Sequence, residues 1–250
     1  MKLLKITVLT CFFCATINAQ EDYTKALGGI EWVKIASNAN VTVKTHSSNE
    51  LLIKVGSSYK TPERAKGLKL VGEGGSDNTN VGFYVIKEGN NLIVRNLRKS
   101  KAAEIYLPAS QNISVKTNWQ GNIKIVGFKG EIEASAELNG SIGIEDVSGP
   151  ITVNSLNGQI EVLFAEVSQS SPITINTING AIDITLPENT PANLSLGSLN
   201  GDIYSNFELP TLEKDGLKSI GRSKIKSSIN NGGVKISLSS INGSIYLRKN

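Results

Sequence analysis

Apolar and polar residues alternate along most of this chain in stretches of three to five residues. A period of two is typical of a β-strand with one apolar face, and it is clearest in the Ile-x-Ile and Ile-x-Val stretches after residue 121. Earlier stretches of this kind begin at Trp32, Val41, Leu51, Phe83, Asn91 and Glu104. The pattern predicts an all-β fold, with one helical turn over residues 61–66, where a proline follows a capping threonine.

The strand-like stretches belong to a sequence repeat. Leu/Ile-Asn-Gly-x-Ile occurs five times, and the asparagines are 18, 22, 21 and 42 residues apart, the last gap being twice 21. The repeated pairs are Asn139-Gly140, Asn157-Gly158, Asn179-Gly180, Asn200-Gly201 and Asn242-Gly243. Trp119-Gln120-Gly121 is a degenerate sixth copy, in which we expect Trp119 to be a core residue at a corner.

Each Asn-Gly pair predicts a tight turn, because both residues tolerate a positive φ. Strands this short with a constant period favour a single-stranded, right-handed β-helix (β-solenoid) with coils of ~20 residues. The stacked asparagines would form an amide ladder along one corner. An up-and-down array of hairpins is the alternative, since Asn-Gly also makes hairpins.

Residues 1–19 read as a secretory signal peptide. Lys2 and Lys5 precede a mostly apolar stretch that is too short to span a bilayer, and a cleavage site follows at Ala19. Removal of this segment would leave one solenoid domain over 20–250, less regular over 30–120 and regular over 121–250. About ten coils of ~20 residues would fit it. We expect an exported protein that is periplasmic, on the outer surface or secreted.

The composition excludes several classes of site. Both cysteines, Cys11 and Cys14, lie in the signal, and His46 is the one histidine, so neither a multi-histidine metal centre nor a Cys-His pair can form. The mature charge of 24 basic minus 22 acidic residues, or +2, does not suggest nucleic-acid binding. We therefore expect no metal and no cofactor. His46 is expected to lie in a solvated turn, and residues 72–80 and 208–228 are expected to form loops.

The order and spacing of several motifs resemble those of the putative adhesin family of unknown function. These motifs are Leu107-Pro108, Leu186-Pro187 and the final Gly232-Gly233-Val234 and Ile241-Asn242-Gly243 copies. That family is close to the head domain of auto-transporter adhesins, and the similarity covers roughly residues 30–250. The resemblance implies a β-solenoid on an exported Bacteroidetes-type protein. It carries over no catalytic residue.

Four outward-facing residues are candidates for surface contact. Glu161 and Asp183 each follow the Ile of an Asn-Gly copy and would lie ~5 Å apart on adjacent coils, near the spacing of a retaining glycosidase. Tyr204 and Tyr246 occupy the same outward position and could contact a sugar or a protein. Solvated charges and surface tyrosines are the alternative interpretation.

The preferred function is a non-enzymatic, adhesin-like interaction module for an extended glycan or protein. A carbohydrate-active enzyme on a β-helix and an envelope-stress or scaffold component are the alternatives.

Overall fold

The computed structural model describes residues 22–54, 62–99, 101–209 and 223–250. The predicted signal, 1–19, lies outside these ranges. Within them the chain forms two ten-stranded sheets, a two-stranded hairpin and a single-turn 3₁₀ helix, Glu63–Ala65, inside the predicted helical stretch. The prediction of an all-β fold is confirmed.

In chain order the strands are β1 (Tyr23–Ala26), β2 (Trp32–Ser37), β3 (Val41–His46), β4 (Glu50–Lys54), β5 (Val71–Gly72), β6 (Gly75–Ser76), β7 (Phe83–Glu88), β8 (Asn91–Asn96), β9 (Ala103–Pro108), β10 (Asn112–Thr117) and β11 (Ile123–Val126). They continue with β12 (Ile132–Ala136), β13 (Ile142–Val147), β14 (Ile151–Ser155), β15 (Ile160–Phe164), β16 (Ile173–Thr177), β17 (Ile182–Leu186), β18 (Ala192–Ser198), β19 (Ile203–Ser205), β20 (Ser223–Ile229), β21 (Val234–Ser240) and β22 (Ile245–Lys249).

Sheet A has the order β1-β4-β9-β3-β11-β13-β15-β17-β22-β19, and sheet B has the order β20-β18-β21-β16-β14-β12-β10-β2-β8-β7. From β10 to β17 consecutive strands alternate between the sheets, and each of β10 to β15 pairs in parallel with the strand two places on. Parallel pairing requires a crossover rather than a hairpin, so the hairpin alternative is wrong for the repeat region.

The described strands form eight two-stranded windings rather than the expected ten coils. Along the stack their order is β8/β9, β2/β3, β10/β11, β12/β13, β14/β15, β16/β17, β21/β22 and β18/β19. The first two windings and the last two are therefore stacked in the reverse of chain order. The doubled spacing before Asn242 reflects this arrangement, because β20 lies between the last two windings in sequence.

Antiparallel strands flank the stack. In sheet B, β7 pairs with β8 at one end and β20 with β18 at the other; in sheet A, β4 and β1 continue beyond β9. The parallel windings are therefore bordered by β1 in sheet A and by β7 and β20 in sheet B, which are the edge strands there. The predicted loop over 208–228 needs correction, because its residues from Ser223 on belong to sheet B; residues 210–222 lie outside the described ranges.

The inward side chains of both sheets form one apolar core. Along sheet A the register aligns Ile123, Ile142, Ile160, Ile182 and Ile245, all buried. β-branched side chains suit this stacking, and burying each contributes about 1.5–3 kcal/mol. Because every second residue is used in this way, the alternate residues lie in straight rows on the outer surfaces.

Candidate functional site

The repeated asparagines form a hydrogen-bonded row at the corner where each winding passes from sheet B to sheet A. The Nδ2 of Asn157 donates to Oδ1 of Asn139 at 3.1 Å, and Asn179 donates to Asn157 at 2.6 Å. Asn242 donates to Asn179 at 2.6 Å, and Asn200 donates to Asn242 at 2.7 Å. Asn242 thus lies between Asn179 and Asn200, because β22 is inserted between β17 and β19.

A second row of polar groups lies beneath the asparagines and was missed from the sequence. Ser155 Oγ donates to the carbonyl of Gly140 at 3.1 Å and accepts from the amide of Gly158 at 3.0 Å. Ser240 makes the same pair of bonds with Gly180 and Gly243, at 3.1 and 2.8 Å. The signal was present: Ser or Thr stands three residues before the Gly in four of the five copies.

The corner glycines are required by close stacking. A Cβ on Gly158 would lie 2.5 Å from the carbonyl carbon of Gly140 and 2.9 Å from the amide nitrogen of Ser141. No positive φ is found at Gly140, Gly158, Gly180, Gly201 or Gly243. The interpretation of Asn-Gly as a positive-φ turn is therefore wrong for these copies, and the absence of a side chain is what the stacking needs.

Trp119 is exposed rather than buried in the core. It shows 69% of its surface and has φ +65°, whereas Leu138, Ile178 and Leu199 at the same corner position are about 40% exposed. The reason is that a hydroxyl residue such as Thr117 holds the buried corner position and bonds the carbonyl of Gly121 at 2.6 Å. The next apolar residue is directed outward. A left-handed conformation at a non-glycine residue costs roughly 1–3 kcal/mol.

The four predicted surface residues lie in one row on the outer side of sheet A. The register is Lys124, Gly143, Glu161, Asp183, Tyr246 and Tyr204, each on an adjacent strand. Glu161 and Asp183 are therefore neighbours, as the spacing predicts. Tyr204 and Tyr246 are also direct neighbours, although they are 42 residues apart in the sequence, because β22 pairs with β19.

The carboxylate of Asp183 is fully engaged. Arg248 Nε and Nη2 donate to its two oxygens at 2.7 and 2.8 Å, and this pairing raises the pKa of Arg248 above its ordinary value. A bidentate pair of this type fixes both groups in the plane of the guanidinium. Asp183 is therefore poorly placed to attack a substrate carbon.

The two tyrosines form a stacked pair at the end of this row. Their ring centroids are 5.3 Å apart with an interplanar angle of 9°, and Tyr204 is 52% exposed. Tyr204 Oη donates to Asp202 at 3.2 Å, and the negative charge of Asp202 raises the pKa of the Tyr204 phenol. The pair presents an aromatic surface with a carboxylate beside it.

A charged cluster occupies the other end of sheet A. Glu104 accepts hydrogen bonds from Tyr106 Oη at 2.7 Å and Lys44 Nζ at 2.9 Å, and these bonds lower the pKa of Glu104. His46 is half-buried at the end of β3, where its Nε2 lies 2.8 Å from the carbonyl oxygen of Glu50. The expectation of a freely solvated histidine is corrected accordingly.

The Gly-rich stretch before β7 is more ordered than a plain loop. β5 and β6 pair as a hairpin, and the carboxylate of the buried Asp77 accepts from the amides of Thr79 and Gly82 at 2.9 Å each. Across the described ranges, no group of three or more His, Cys, Asp or Glu side chains could hold a metal ion. No helix there is long and apolar enough to cross a membrane.

Comparison with known families and structures bears on the regular windings. Residues 136–248 match the family model described as Toastrack DUF4097. The match runs from the end of β12 into β22 and supports the resemblance noted above at the level of an uncharacterised adhesin-like family. The relation to the auto-transporter head domain stays a prediction.

One solved structure, a putative cell adhesion protein from Clostridium sporogenes, is similar at 10% sequence identity and a TM-score of 0.41. The similarity covers 92% of this chain and 99% of that chain. No curated protein sequence matches significantly.

Proposed function

We propose that this chain is an exported, non-enzymatic interaction module of adhesin-like type that binds an extended partner of the cell envelope. Residues 20–250 would form one elongated, right-handed, single-stranded solenoid after removal of the signal over 1–19. The module would act in the periplasm, on the outer surface or after secretion.

The observation that carries this proposal is the in-register stacking of outward side chains. The row from Lys124 to Tyr204 advances one strand at a time, about 4.8 Å per step. A rigid surface with regularly spaced groups suits a partner that is itself extended, because successive contacts are made without bending either molecule.

The arrangement of Glu161 and Asp183, the carboxylate pair considered as a catalytic candidate, also supports a binding role. Retaining hydrolysis needs one carboxylate free to attack and another able to deliver a proton. Arg248 occupies both oxygens of Asp183, and Glu161 lies beside it on the outer side of a sheet. This arrangement favours surface recognition over bond cleavage.

Tyr204 and Tyr246 are the proposed centre of the contact surface on sheet A, with Glu161 and Asp183 at its border. Aromatic rings contribute large contact areas at low entropic cost and dominate many interfaces. The stacked arrangement holds both rings in place before a partner arrives.

Affinity capture from a native cell-envelope extract tests this function. Wild type is compared with a Tyr204→Ala/Tyr246→Ala variant and with a Thr152→Ala/Thr174→Ala control, whose changes lie on the outer side of sheet B. We expect wild type and the control to retain the same envelope component and the tyrosine variant to lose most of it. Equal capture by all three proteins would contradict the proposed contact surface.

Incubation with a panel of polysaccharides tests the enzymatic alternative. We expect no new reducing ends. Turnover that disappears in a Glu161→Gln/Asp183→Asn variant would overturn the non-enzymatic proposal.

A further inference from the structure

The two large sheets end in four edge strands, which are β1 and β19 in sheet A and β7 and β20 in sheet B. β1 has four residues and β19 three, whereas β7 has six and β20 seven. An edge strand presents unpaired N–H and C=O groups to which another strand can add. Because a longer edge offers more hydrogen bonds, β7 and β20 are the edges to compare.

The outer edge of β7 is already occupied by polar side chains of the preceding loop. The side-chain amide of Asn78 donates to the carbonyl of Val85 at 2.8 Å and accepts from its N–H at 2.9 Å. Thr79 Oγ1 accepts from the N–H of Phe83 at 3.2 Å and lies 3.1 Å from its carbonyl oxygen. These contacts take the place of a further strand, so the β7 edge is closed at both residues.

The register shows which backbone groups of β20 face away from β18. Just after β18, the amide of Leu199 donates to the carbonyl of Ser240 at 3.2 Å, toward β21. Because neighbouring residues of a strand direct their backbone groups to opposite sides, the even-numbered residues of β18 face β20. In the unbroken antiparallel register these are opposite the odd-numbered residues of β20. The N–H and C=O groups of Lys224, Lys226 and Ser228 therefore lie on the outer edge.

This outer edge of β20 is open within the ranges that the structure describes. There, β18 is the one strand that pairs with β20. The core beneath the edge is incompletely covered as well, because Ile225 is half-buried, whereas its neighbour Leu196 on β18 is fully buried. An apolar side chain of an added strand would cover Ile225, and this burial would add to the backbone hydrogen bonds.

The outer side of sheet B is basic around this edge. Together β18, β20 and β21 contain Lys224, Lys226 and Lys235 but no acidic residue. Lys224 and Lys226 are exposed, and neither forms an ion pair with any residue in the described part of the chain. Opposite charges on neighbouring strands stabilise a sheet, and like charges destabilise it. The edge therefore suits an acidic strand and disfavours a second copy of β20.

The acidic side chains of a partner would lie near the lysines, toward the beginning of β20. At the other end of the strand, beside Ser228, a cavity of about 780 Å³ has Glu188 and Glu208 among its lining residues. Glu188 is paired with Lys249 at 3.2 Å. Since carboxylates already lie at that end, a neutral residue of the partner is expected near Ser228.

We infer that the outer edge of β20 binds an extended, acidic segment of a partner protein as an added β-strand. Apolar side chains of the segment cover Ile225, and its acidic side chains contact Lys224 and Lys226. Main-chain hydrogen bonds supply the affinity of such a complex, and side chains supply its specificity. This surface is separate from the tyrosine row on sheet A, and it goes beyond the proposed function by assigning the conformation and charge of a partner.

Binding of two synthetic peptides to the full mature chain, measured by fluorescence anisotropy, tests the inference. The acidic probe is Thr-Val-Glu-Val-Glu-Val-Thr with a terminal dye, a sequence that reads the same in both directions. The comparison peptide has lysine in place of glutamate. We expect the acidic peptide to bind and the basic peptide not to bind. Hydrogen exchange should show new protection at the amides of Lys224, Lys226 and Ser228, and none along β7.

Matched variants separate the effect of charge from strand addition. Lys226→Glu replaces an attractive pair by a repulsive one and should weaken binding of the acidic peptide about three- to tenfold. Lys34→Glu makes the same change on the outer side of β2, in the same sheet, and should have no effect. Ser228→Pro removes an N–H from the outer edge but keeps both lysines, and it should weaken binding about fivefold. Ser228→Ala keeps that N–H and should bind like wild type.

Several results would overturn the inference. One is failure of the acidic peptide to bind wild type, and another is binding that leaves the β20 amides unprotected. Binding that Lys226→Glu reduces and Ser228→Pro leaves unchanged would indicate an anion held by the lysines alone. Unaltered thermal melting shows that a variant is folded, and hydrogen exchange on wild type needs no variant. Envelope capture through Tyr204 and Tyr246 is measured separately, so failure at β20 leaves the proposed function standing.

Discussion

Gly158→Ala is the most direct test of how the windings are held together. The new methyl group would be 2.5 Å from the carbonyl carbon of Gly140 and 2.9 Å from the amide nitrogen of Ser141. Carbon atoms in contact are normally about 3.5–4.0 Å apart, so the two windings would have to separate by roughly 1 Å at this corner.

The cost follows from what such a separation breaks. Overpacking in a rigid region costs about 1–3 kcal/mol. The bond from Ser155 Oγ to the carbonyl of Gly140, at 3.1 Å, joins the two windings and would be lengthened, at about 1 kcal/mol. We expect a loss of about 2–4 kcal/mol, or a fall in Tm of about 10 °C for a chain of this size.

Gly143→Ala is the matched control, measured with Gly158→Ala by urea and thermal denaturation. Gly143 lies on the outer side of β13 and does not have a positive φ, and a methyl group added there would have no neighbouring atom within 4 Å. The substitution should be neutral or slightly stabilising, by less than about 1 kcal/mol. The free energy of unfolding of Gly158→Ala could instead lie within about 0.5 kcal/mol of wild type, the size of an ordinary surface effect. That result, or an equal loss of stability in both variants, would show that close stacking does not explain the repeated glycine.

Three further predictions concern polar groups. Asn179→Ala removes two hydrogen bonds between side-chain amides and should lower the free energy of unfolding, measured in urea, by about 1 kcal/mol. Asn200→Ala, at the end of the row, removes one such bond and should lower it by less. An equal or larger loss for Asn200→Ala would argue against an additive ladder. Asp183→Asn should lower the free energy of unfolding by less than about 1 kcal/mol, because the ion pair of Asp183 with Arg248 is partly exposed. This difference from wild type should shrink in high salt, which screens the pair. A loss of stability that salt leaves unchanged would refute a screened ion pair. The pKa of Glu104 is lower in the folded state than in the unfolded state. The ionised carboxylate therefore stabilises the fold fully at pH values above its unfolded pKa, near 4.5, and this stabilisation is lost as the pH falls through the folded pKa. Glu104→Gln should therefore narrow the stability difference between neutral and acidic pH, and an unchanged pH profile would contradict the assignment.

The windings could be predicted from the sequence because one local pattern carries two kinds of information. Alternation gives the strand and its buried face, and the constant distance to the next glycine gives the parallel register of Ile123, Ile142 and Ile160. Stacking order is a different matter. The gap of 42 residues before Asn242 is twice the period of the repeat, yet no residue pattern states that β22 inserts between β17 and β19.

The surface was less predictable than the core. Glu161 and Asp183 were expected to be neighbours, but the pairing of Asp183 with Arg248 depends on that inserted strand and has no local signal. The position of Trp119, in place of the Leu or Ile of the other copies, predicts a core residue, whereas the side chain is exposed. The preceding Thr117, which already fills the buried corner position, was the informative residue.

The corner of each winding therefore has two layers with different constraints. The inner layer, exemplified by Ser155 and Gly158, is limited by stacking distance, and a change there should reduce stability whatever the protein binds. The outer layer, exemplified by the exposed Trp119, projects from the same turn to the surface, so its residues can change with little effect on stacking. Substitutions in the outer layer should therefore leave Tm nearly constant, and substitutions in the inner layer should lower it. The two layers differ because the inner side of a corner packs closely against the neighbouring windings, whereas the outer side faces solvent.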